Sequence, residues 1–450
     1  MQQKIIAAVM EAGVIGAGGA GFPTHVKINA KVEVVIANGA ECEPLLRAHQ
    51  HIMAAESYSV ISGLGAVMLA TGAKHGFIGL KRKYAEAVTS LEAAIRKLAA
   101  PRIELFFLPD FYPAGDEHVL VHEVTGRIVP EGGIPLNVGA VVANVETLVN
   151  VARALAGNAV ISKYLTVTGA VRRPITLEVP VGTAVREVIE LAGGATHLDN
   201  AIIDGGPMMG KLVEAGAPIT KTTGGIIVLP KDHPLIVQKN TTWSATLNRA
   251  KAVCCNCRGC TDACPRYLLG HGLEPHRIMQ VLGSGLQDSA AVTKAFLCSE
   301  CGACEIYGCT MGLSPRRVNS MLKQQLSKTG IKNPHREKVL KIRAEREYRR
   351  IPIKRLVARL GLSQYDLPAP LSRQQYLIQE VHLPLLQHIG APARPVVKIG
   401  DCVKAGDLVA AIPEEAAVGA NLHASIAGEI FAVDGYIGIR ANNEVRGNGE

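Results

Sequence analysis

Two short runs of cysteine are the part of this sequence whose residue types and spacing could do chemistry. Residues 254–265 read CCNCRGCTDACP, and residues 298–309 read CSECGACEIYGC. Four cysteines of the first run are spaced C-x2-C-x2-C-x3-C and are followed by a proline. In the second run the last gap is one residue longer and the proline is missing. Clustered thiols of this kind indicate metal ligands when the chain lies in a reducing compartment.

The triplets of cysteine favour iron–sulfur chemistry. Three thiolates two residues apart can hold three corners of one [4Fe–4S] cubane, and the fourth, beyond a helical step, is carried to the other cluster. Two zinc knuckles or free thiols are the alternatives, but zinc sites use paired C-x2-C knuckles or add histidine. The predicted ligands are Cys254, Cys257, Cys260 and Cys309 for one cluster, and Cys298, Cys301, Cys304 and Cys264 for the other. Cys255 is surplus, and Cys42 and Cys402 are interpreted as small apolar residues.

Length and composition indicate several α/β domains. The chain has 450 residues, enough for about three or four domains. It is 48% apolar, only 4% aromatic and contains 46 glycines, which suits layers rich in small aliphatic residues. Much of the net charge of +9 lies in residues 332–355, with ten Lys or Arg against three Glu. We interpret that run as a solvated helical face or linker in preference to a patch for nucleic acid or an acidic partner.

The sequence does not predict a membrane span or a secretory signal. The best uncharged run, residues 58–73, is shorter than the roughly 20 apolar residues that a span needs. The first residues, MQQKIIAAVMEAG, lack a signal-peptide core and a cleavage site. We therefore expect a cytoplasmic protein that binds no nucleic acid.

A glycine loop at residues 16–21, GAGGAG, contains the pattern G-x-G-x-x-G. A dinucleotide fingerprint would need a strand before this loop, yet residues 4–15 have the apolar spacing of a helix. About ten residues separate the loop from the strand-like residues 32–37, which is short for a crossover helix. The loop is therefore not predicted to be a Rossmann fingerprint. The acidic stretch NGAECE, residues 38–43, follows that strand, where α/β sheets bind ligands.

Three strings in this region resemble a known family of flavoproteins. GAGGAGFPTHVK at 16–27, NGAECE at 38–43 and ANVETL at 143–148 resemble the FMN- and NADH-binding subunit of respiratory NADH dehydrogenases, and more closely the C subunit of Rnf electron-transport complexes. The resemblance implies a Rossmann-like domain that binds FMN and uses NADH as the electron donor. It implies FMN contacts for Gly16, Gly18, Gly19, Gly21, Asn38, Glu41, Asn144 and Thr147, and for Gly115, Asp116 and Glu117 of the YPAGDE stretch. Lys27 would offset phosphate charge, Phe22 would stack on NADH, and Glu43 would bind its ribose.

The same resemblance implies a multidomain α/β and α+β architecture. Its predicted parts are an FMN/NADH-binding domain at 1–155, a soluble-ligand-binding β-grasp domain at 156–240, a helical two-[4Fe–4S] module at 241–330, an exposed basic connector at 331–380 and a barrel-sandwich hybrid at 381–450. The last part resembles biotinyl and lipoyl domains but has no attachment lysine around residues 416–424. The loop GGPMMG at 205–210 is interpreted as a tight turn in preference to a ligand-binding loop.

In Rnf C subunits the barrel-sandwich hybrid is at the N-terminus, whereas here it is predicted at the C-terminus. This order of parts resembles the cobalamin reductases of propanediol-utilisation microcompartments. That family implies electron flow from NADH through FMN and two clusters to a cobalt corrinoid, for adenosylcobalamin recycling in 1,2-propanediol degradation. It also implies a cobalamin adenosyltransferase and a shell protein as partners, inside a bacterial microcompartment. Two alternatives stay open: the electron-input subunit of an Rnf-type complex, and a cluster-carrying scaffold that anchors an adenosyltransferase.

Overall fold

Four packed units follow one another in the part of the chain that the computed structural model describes, residues 1–285 and 288–442. The predicted multidomain α/β class is confirmed, whereas the predicted domain boundaries stay predictions. Residues 443–450 of the predicted C-terminal domain and residues 286–287 of the predicted cluster module lie outside the described residues.

The N-terminal unit is a parallel four-stranded sheet, in the order β3-β2-β1-β5, flanked by helices. Its strands β1 and β5 are short apolar runs that are buried up to their last residue, as is typical of parallel strands covered on both faces. Asn38 and Asn144 are register partners at the last position of β1 and β5, so two asparagines lie side by side at the carboxyl edge. A helix precedes the glycine loop, as the sequence predicted. The elements are α1 Gln2–Glu11, α2 Thr24–Ile28, β1 Val34–Asn38, α3 Ala48–Ala55, α4 Ser57–Thr71, β2 His75–Lys81, α5 Ala85–Lys97, β3 Ile103–Leu108, β4 Phe111–Tyr112, α6 Glu117–Thr125, β5 Ala140–Asn144 and α7 Val145–Leu155.

The second unit is a mixed five-stranded sheet, ordered β7-β6-β10-β8-β9, with one helix packed on its apolar face. The predicted helix over residues 183–191 is present as α8. The elements are β6 Ser162–Gly169, β7 Ile175–Pro180, α8 Val185–Leu191, β8 Asn200–Asp204, β9 Lys211–Val213, β10 Gly225–Pro230 and α9 Pro234–Lys239.

The third unit is helical and carries both cysteine runs on loops and helix ends. Its longer helices pack around a small apolar core that includes Cys264 and Cys309. The elements are α10 Trp243–Val253, α11 Gly259–Asp262, α12 Pro265–Leu268, α13 Pro275–Ser284, α14 Ser289–Thr293, a 3₁₀ turn Lys294–Leu297, a π-helical turn Cys304–Gly308 and α15 Pro315–Lys328.

The predicted exposed connector is wrong for residues 344–362. This stretch, here called the strap, contains a 3₁₀ helix at Ala344–Arg349, then β11 Ile351–Pro352 and α16 Ile353–Arg359. β11 pairs with β4 of the N-terminal unit. Arg346 is only 6% exposed, and its charge is compensated by an ion pair with Glu123. Leu356, Val357 and Leu360 are buried on one side of α16 and join a shared core, so the charges flank an apolar face and do not mark a free linker.

The C-terminal unit consists of two antiparallel sheets, β12-β18-β17-β14 and β13-β15-β16, that enclose an apolar core. It covers one side of the glycine loop. The N–H of Ile389 donates to the carbonyl of Gly21 at 3.0 Å, and a Cβ added at Gly21 would lie 3.1 Å from the Cα of His388. The strands are β12 Glu380–Pro384, β13 Arg394–Pro395, β14 Cys402–Val403, β15 Leu408–Ala411, β16 Leu422–His423, β17 Gly428–Asp434 and β18 Tyr436–Arg440.

Across the described ranges, no single helix has the length and apolar character to cross a membrane, although α3 and α4, bent by 91°, meet the criteria as a pair.

The first two units are joined by a buried ion pair between Lys163 on β6 and Glu146 on α7, whose side chains are each 2% exposed. Glu146→Gln should destabilise the apoprotein by about 3 kcal/mol, because it leaves a buried ammonium without its counter-charge. Urea unfolding followed by circular dichroism measures this. Asp199→Asn, which breaks the exposed Lys231–Asp199 pair, is the control and should have no measurable effect. An equal free energy of unfolding for the two variants would contradict a stabilising role of the buried pair.

Candidate functional site

Eight of the nine cysteines in the two runs fall into two groups of four, and each group is drawn from both runs. Cys254, Cys257, Cys260 and Cys309 line one cavity that is open to solvent, and they are called the outer group. The remaining four are called the inner group: Cys264, Cys298, Cys301 and Cys304. In each group three cysteines come from one run and the fourth from the other, which is the arrangement that the spacing predicted.

A close approach of two glycines brings the runs together. A Cβ added at Gly259 would lie 2.5 Å from the carbonyl oxygen of Gly308, and one added at Gly308 would lie 2.8 Å from that of Gly259. Any side chain at either position would push the two backbone segments apart. Asn256 and Arg258 have positive φ angles of 53° and 65°, which turn the first run tightly between its cysteines.

The thiols of the inner group are buried and affect one another. Burial, with a smaller contribution from the charge of the neighbouring Cys298, raises the pKa of Cys264 to about 12. Burial also raises the pKa values of Cys301 and Cys304, to which Cys264 and Cys298 both contribute. Four thiolates cannot share this space without a compensating positive charge, and an iron–sulfur cluster with four cysteine ligands supplies it.

A buried amide next to the inner group also fits a cluster. Asn319 is 1% exposed and lies beside Cys298. Apart from the thiol of Cys298, the residues that the structure describes offer neither polar atom of its side chain a hydrogen-bond partner. Hydrogen bonds to the sulfur atoms of a cluster would satisfy such an amide. Over the same described ranges, no three His, Cys, Asp or Glu side chains are arranged to hold a single metal ion.

The outer group faces solvent. Cys257 is exposed, and the N–H of Gly259 lowers its pKa. Cys260 is buried, and burial followed by the charges of Cys309 and Cys254 raises its pKa to about 12. Cys255 is exposed at the rim of the cavity. Cys402, in the C-terminal unit, is exposed as well.

The glycine loop presents open backbone beside the carboxyl edge of the first sheet. Gly19 has φ 103°, and a Cβ added there would meet no atom within 4 Å. Gly18 packs against the side chain of Asn144, and Ala17 N–H donates to Thr147 Oγ1 at 2.9 Å. Gly16 N–H donates to the carbonyl of Phe22 and closes the loop. Exposed backbone next to polar side chains fits a flavin phosphate or ring edge.

The predicted polar residues of the flavin site converge on that edge. Asn38 Nδ2 donates to the carbonyl of Gly115 at 2.9 Å. Asn144 caps α7 and lies 3.0 Å from His49 Nε2. The carboxylate of Glu41 accepts from the N–H of His49 at 2.8 Å and so binds the start of α3. The glycine loop, both asparagines and Glu41 therefore surround one surface.

Several predicted ligand residues already have partners within the protein. Lys27 forms an ion pair with Glu117 at 2.8 Å. Asp116 caps α6 and binds both guanidinium nitrogens of Arg266. Glu43 accepts hydrogen bonds from the N–H groups of Met208 at 2.9 Å and Met209 at 3.0 Å. A ribose would have to replace these last two bonds to reach Glu43.

The contacts of Glu43 give the loop GGPMMG a role beyond a turn. A Cβ added at Gly206 would lie 2.1 Å from the carboxylate of Glu43, so glycine is needed for the loop to reach it. The carbonyl of Met208 also accepts from Arg316 at 2.9 Å. The loop therefore joins the first, second and third units. Burial raises the pKa of Glu43, while the two N–H groups lower it.

Four residues of this site were missed from the sequence: His49, Tyr112, Arg266 and Met208. Arg266 directly follows the proline of the first cysteine run, which was a usable signal. The other three have partners far away in the chain, which spacing does not reveal: Asn144 for His49, Cys301 for Tyr112 and Glu43 for Met208.

Comparisons with known proteins agree with this division of the chain. Four family models match: the Nuo51 FMN-binding domain at residues 9–153, the SLBB domain at 164–212, a 4Fe-4S dicluster domain at 253–314 and the RnfC barrel sandwich hybrid domain at 370–445. The chain is therefore an electron-transfer oxidoreductase that carries FMN and iron–sulfur clusters.

Individual relatives match over different lengths. The cobalamin reductase PduS of Citrobacter freundii is 46% identical over 96% of this chain and 95% of its own length. The protein of the same name from Salmonella typhimurium strain LT2 is 45% identical over 94% and 93%. The C subunit of the Na⁺-translocating ferredoxin:NAD⁺ oxidoreductase complex of Acetobacterium woodii is 37% identical over 58% and 57%. A chain of an NAD⁺-reducing [NiFe]-hydrogenase, in its H₂-reduced state, shares the fold with a TM-score of 0.50 at 22% identity, over 74% of this chain and 63% of that one.

The difference in exposure between the cysteine groups predicts two rates of iron loss. A ferrous chelator should remove about half of the roughly eight iron atoms of two cubanes quickly, from the outer group, and the rest slowly. In Cys257→Ser the fast phase should disappear, as absorbance of the chelate would show. Cys402→Ser, which changes another exposed thiol far from both groups in the sequence, should keep both phases. A fast phase that survives in Cys257→Ser would contradict the assignment.

Proposed function

Because the chain belongs to the family of the cobalamin reductases PduS, we propose that it passes electrons from NADH to a cobalt corrinoid. Oxidation of one NADH supplies two electrons and releases one proton. The two electrons reduce two Co(III) centres to Co(II). FMN supplies the conversion between two-electron and one-electron chemistry, and the clusters supply one-electron carriers. The protein residues bind these groups, fix their relative positions and keep water away from the inner group.

The observation that best supports the proposal is direct contact between the flavin-type loop and the inner cysteine group. The hydroxyl of Tyr112, at the start of the loop 112–117, donates to the carbonyl of Cys301 at 2.5 Å. Asp116 of the same loop binds Arg266, two residues after Cys264. A domain that only carried clusters as a scaffold would not need this contact with a flavin loop.

The residue roles are those that the resemblance implies, and they are part of the proposal. FMN would lie over the glycine loop and the carboxyl edge, near Asn38, Glu41 and Asn144. The nicotinamide would stack on Phe22. The eight cysteines of the outer and inner groups would ligate the two clusters.

The partners and the location follow from the family. We propose that the corrinoid product is used by a cobalamin adenosyltransferase and that the protein acts inside a bacterial microcompartment, held by a shell protein. The electron-input role in an Rnf-type complex is the second candidate, supported by the 37% identity to the Acetobacterium woodii protein.

The first test is an anaerobic assay with NADH as the sole donor and a Co(III) corrinoid as the sole acceptor. The cobalt absorption spectrum should change to that of Co(II), and the change should require FMN. Bleaching of the flavin by NADH without a change at cobalt would contradict the proposal and favour an acceptor of the Rnf type.

A second test concerns the donor side. Phe22→Ala should raise KM for NADH about 2- to 12-fold, since aromatic stacking contributes roughly 0.5–1.5 kcal/mol, with the FMN content unchanged. Flavin reduction by NADH under stopped flow measures this. Tyr348→Ala, which removes a tyrosine that is 90% exposed on the strap, is the control and should change neither value. Loss of FMN in Phe22→Ala would place Phe22 in the flavin site instead.

A further inference from the structure

We propose that Tyr112 and Arg266 are positioning residues that fix the inner cysteine group against the flavin-type loop 112–117. This inference rests on the proposed function, because it concerns the passage of electrons between the two sites. It assigns a task to two residues that the cysteine pattern and the resemblance left without one.

Tyr112 makes the first of two contacts. Its side chain is buried, with 2% exposed, and its hydroxyl donates to the carbonyl of Cys301. The backbone of Tyr112 is held by pairing of β4 with Ile351 of the strap. Tyr112 also shares a core with Cys301 and Met208. This packing therefore holds the ring where its hydroxyl reaches the carbonyl of Cys301.

Arg266 makes the second contact at the other end of the loop. Its two terminal nitrogens lie 2.8 and 3.1 Å from the two oxygens of Asp116. Both side chains are about nine-tenths buried. Paired guanidinium–carboxylate geometry of this kind fixes orientation as well as distance.

The two contacts reach different cysteine runs. Cys301 belongs to the second run, whereas Arg266 follows Cys264 of the first, yet both cysteines belong to the inner group. The loop is itself tied to the sheet edge, because Asn38 donates to the carbonyl of Gly115. A rigid connection thus leads from the proposed flavin surface to both halves of the inner group.

The charge of Arg266 gives this proposal a measurable consequence, the reduction potential of the inner cluster, that a role in packing alone would not change. Arg266 lies two residues after Cys264 and forms a buried ion pair with Asp116, so its positive charge acts on the electrostatics of the inner group. Cluster potentials depend on local net charge and hydrogen bonding. Removing the guanidinium leaves the carboxylate of Asp116 uncompensated and makes the inner cluster harder to reduce.

The first experiment compares Tyr112→Phe with Tyr164→Phe, an equal change at a buried tyrosine of the second unit. In Tyr112→Phe, NADH should bleach the flavin at the wild-type rate, while the EPR signal of reduced clusters should appear at least ten-fold more slowly. Dithionite should produce the full signal in both variants. Wild-type transfer in Tyr112→Phe, or equal slowing in Tyr164→Phe, would overturn the proposal.

The second experiment is a redox titration of Arg266→Gln followed by EPR. One of the two cluster signals should shift to lower potential while the other stays, and Arg266→Lys should restore part of the shift. An unchanged potential, or equal shifts of both signals, would overturn the proposal. If Arg266→Gln fails to fold, the Tyr112→Phe comparison decides alone. Failure of NADH to bleach the flavin of the wild-type protein would instead contradict the proposed function.

Discussion

The structure depends on one close approach, that of Gly259 to Gly308. Without side chains at these two positions, the cysteine runs lie side by side and each can give its last thiol to the other group. This exchange fixes the separation of the two groups within narrow limits, since neither can move without pulling on the run that supplies its fourth thiol. The short helices and turns of the third unit serve this arrangement, and its core forms around Cys264 and Cys309.

The four units are connected mainly through polar atoms that find their partners in a neighbouring unit. Glu43 binds the backbone of the second unit, Met208 binds Arg316 of the third, and Asp116 binds Arg266. Each such group is buried or partly buried, so leaving it without a partner would cost free energy. The strap adds apolar contacts to the same junction. These interfaces therefore specify one relative placement of the units instead of a loose series of domains.

Much of this could be predicted from the sequence, and the failures have two physical causes. Cysteine spacing is a local property, and it predicted the composition of both groups. The spacing of apolar residues before the glycine loop correctly predicted a helix. The prediction for the strap was wrong because counting its charges hid the apolar face formed by Leu356, Val357 and Leu360. Tyr112 and Met208 were missed because their partners lie far away in the chain, where no spacing rule applies.

The position of the C-terminal barrel has a consequence for communication between distant surfaces. Its residues Ile389 and His388 contact Gly21, at the end of the loop proposed to hold the nucleotide. A ligand that orders this loop would therefore also stabilise the contacts between the loop and the barrel. Energetic coupling between two sites is reciprocal. A protein that binds the barrel would therefore change the affinity of the loop for its ligand by the same factor. Any coupling between the glycine loop and the surface of the C-terminal unit would therefore pass through the contacts of Gly21 with Ile389 and His388.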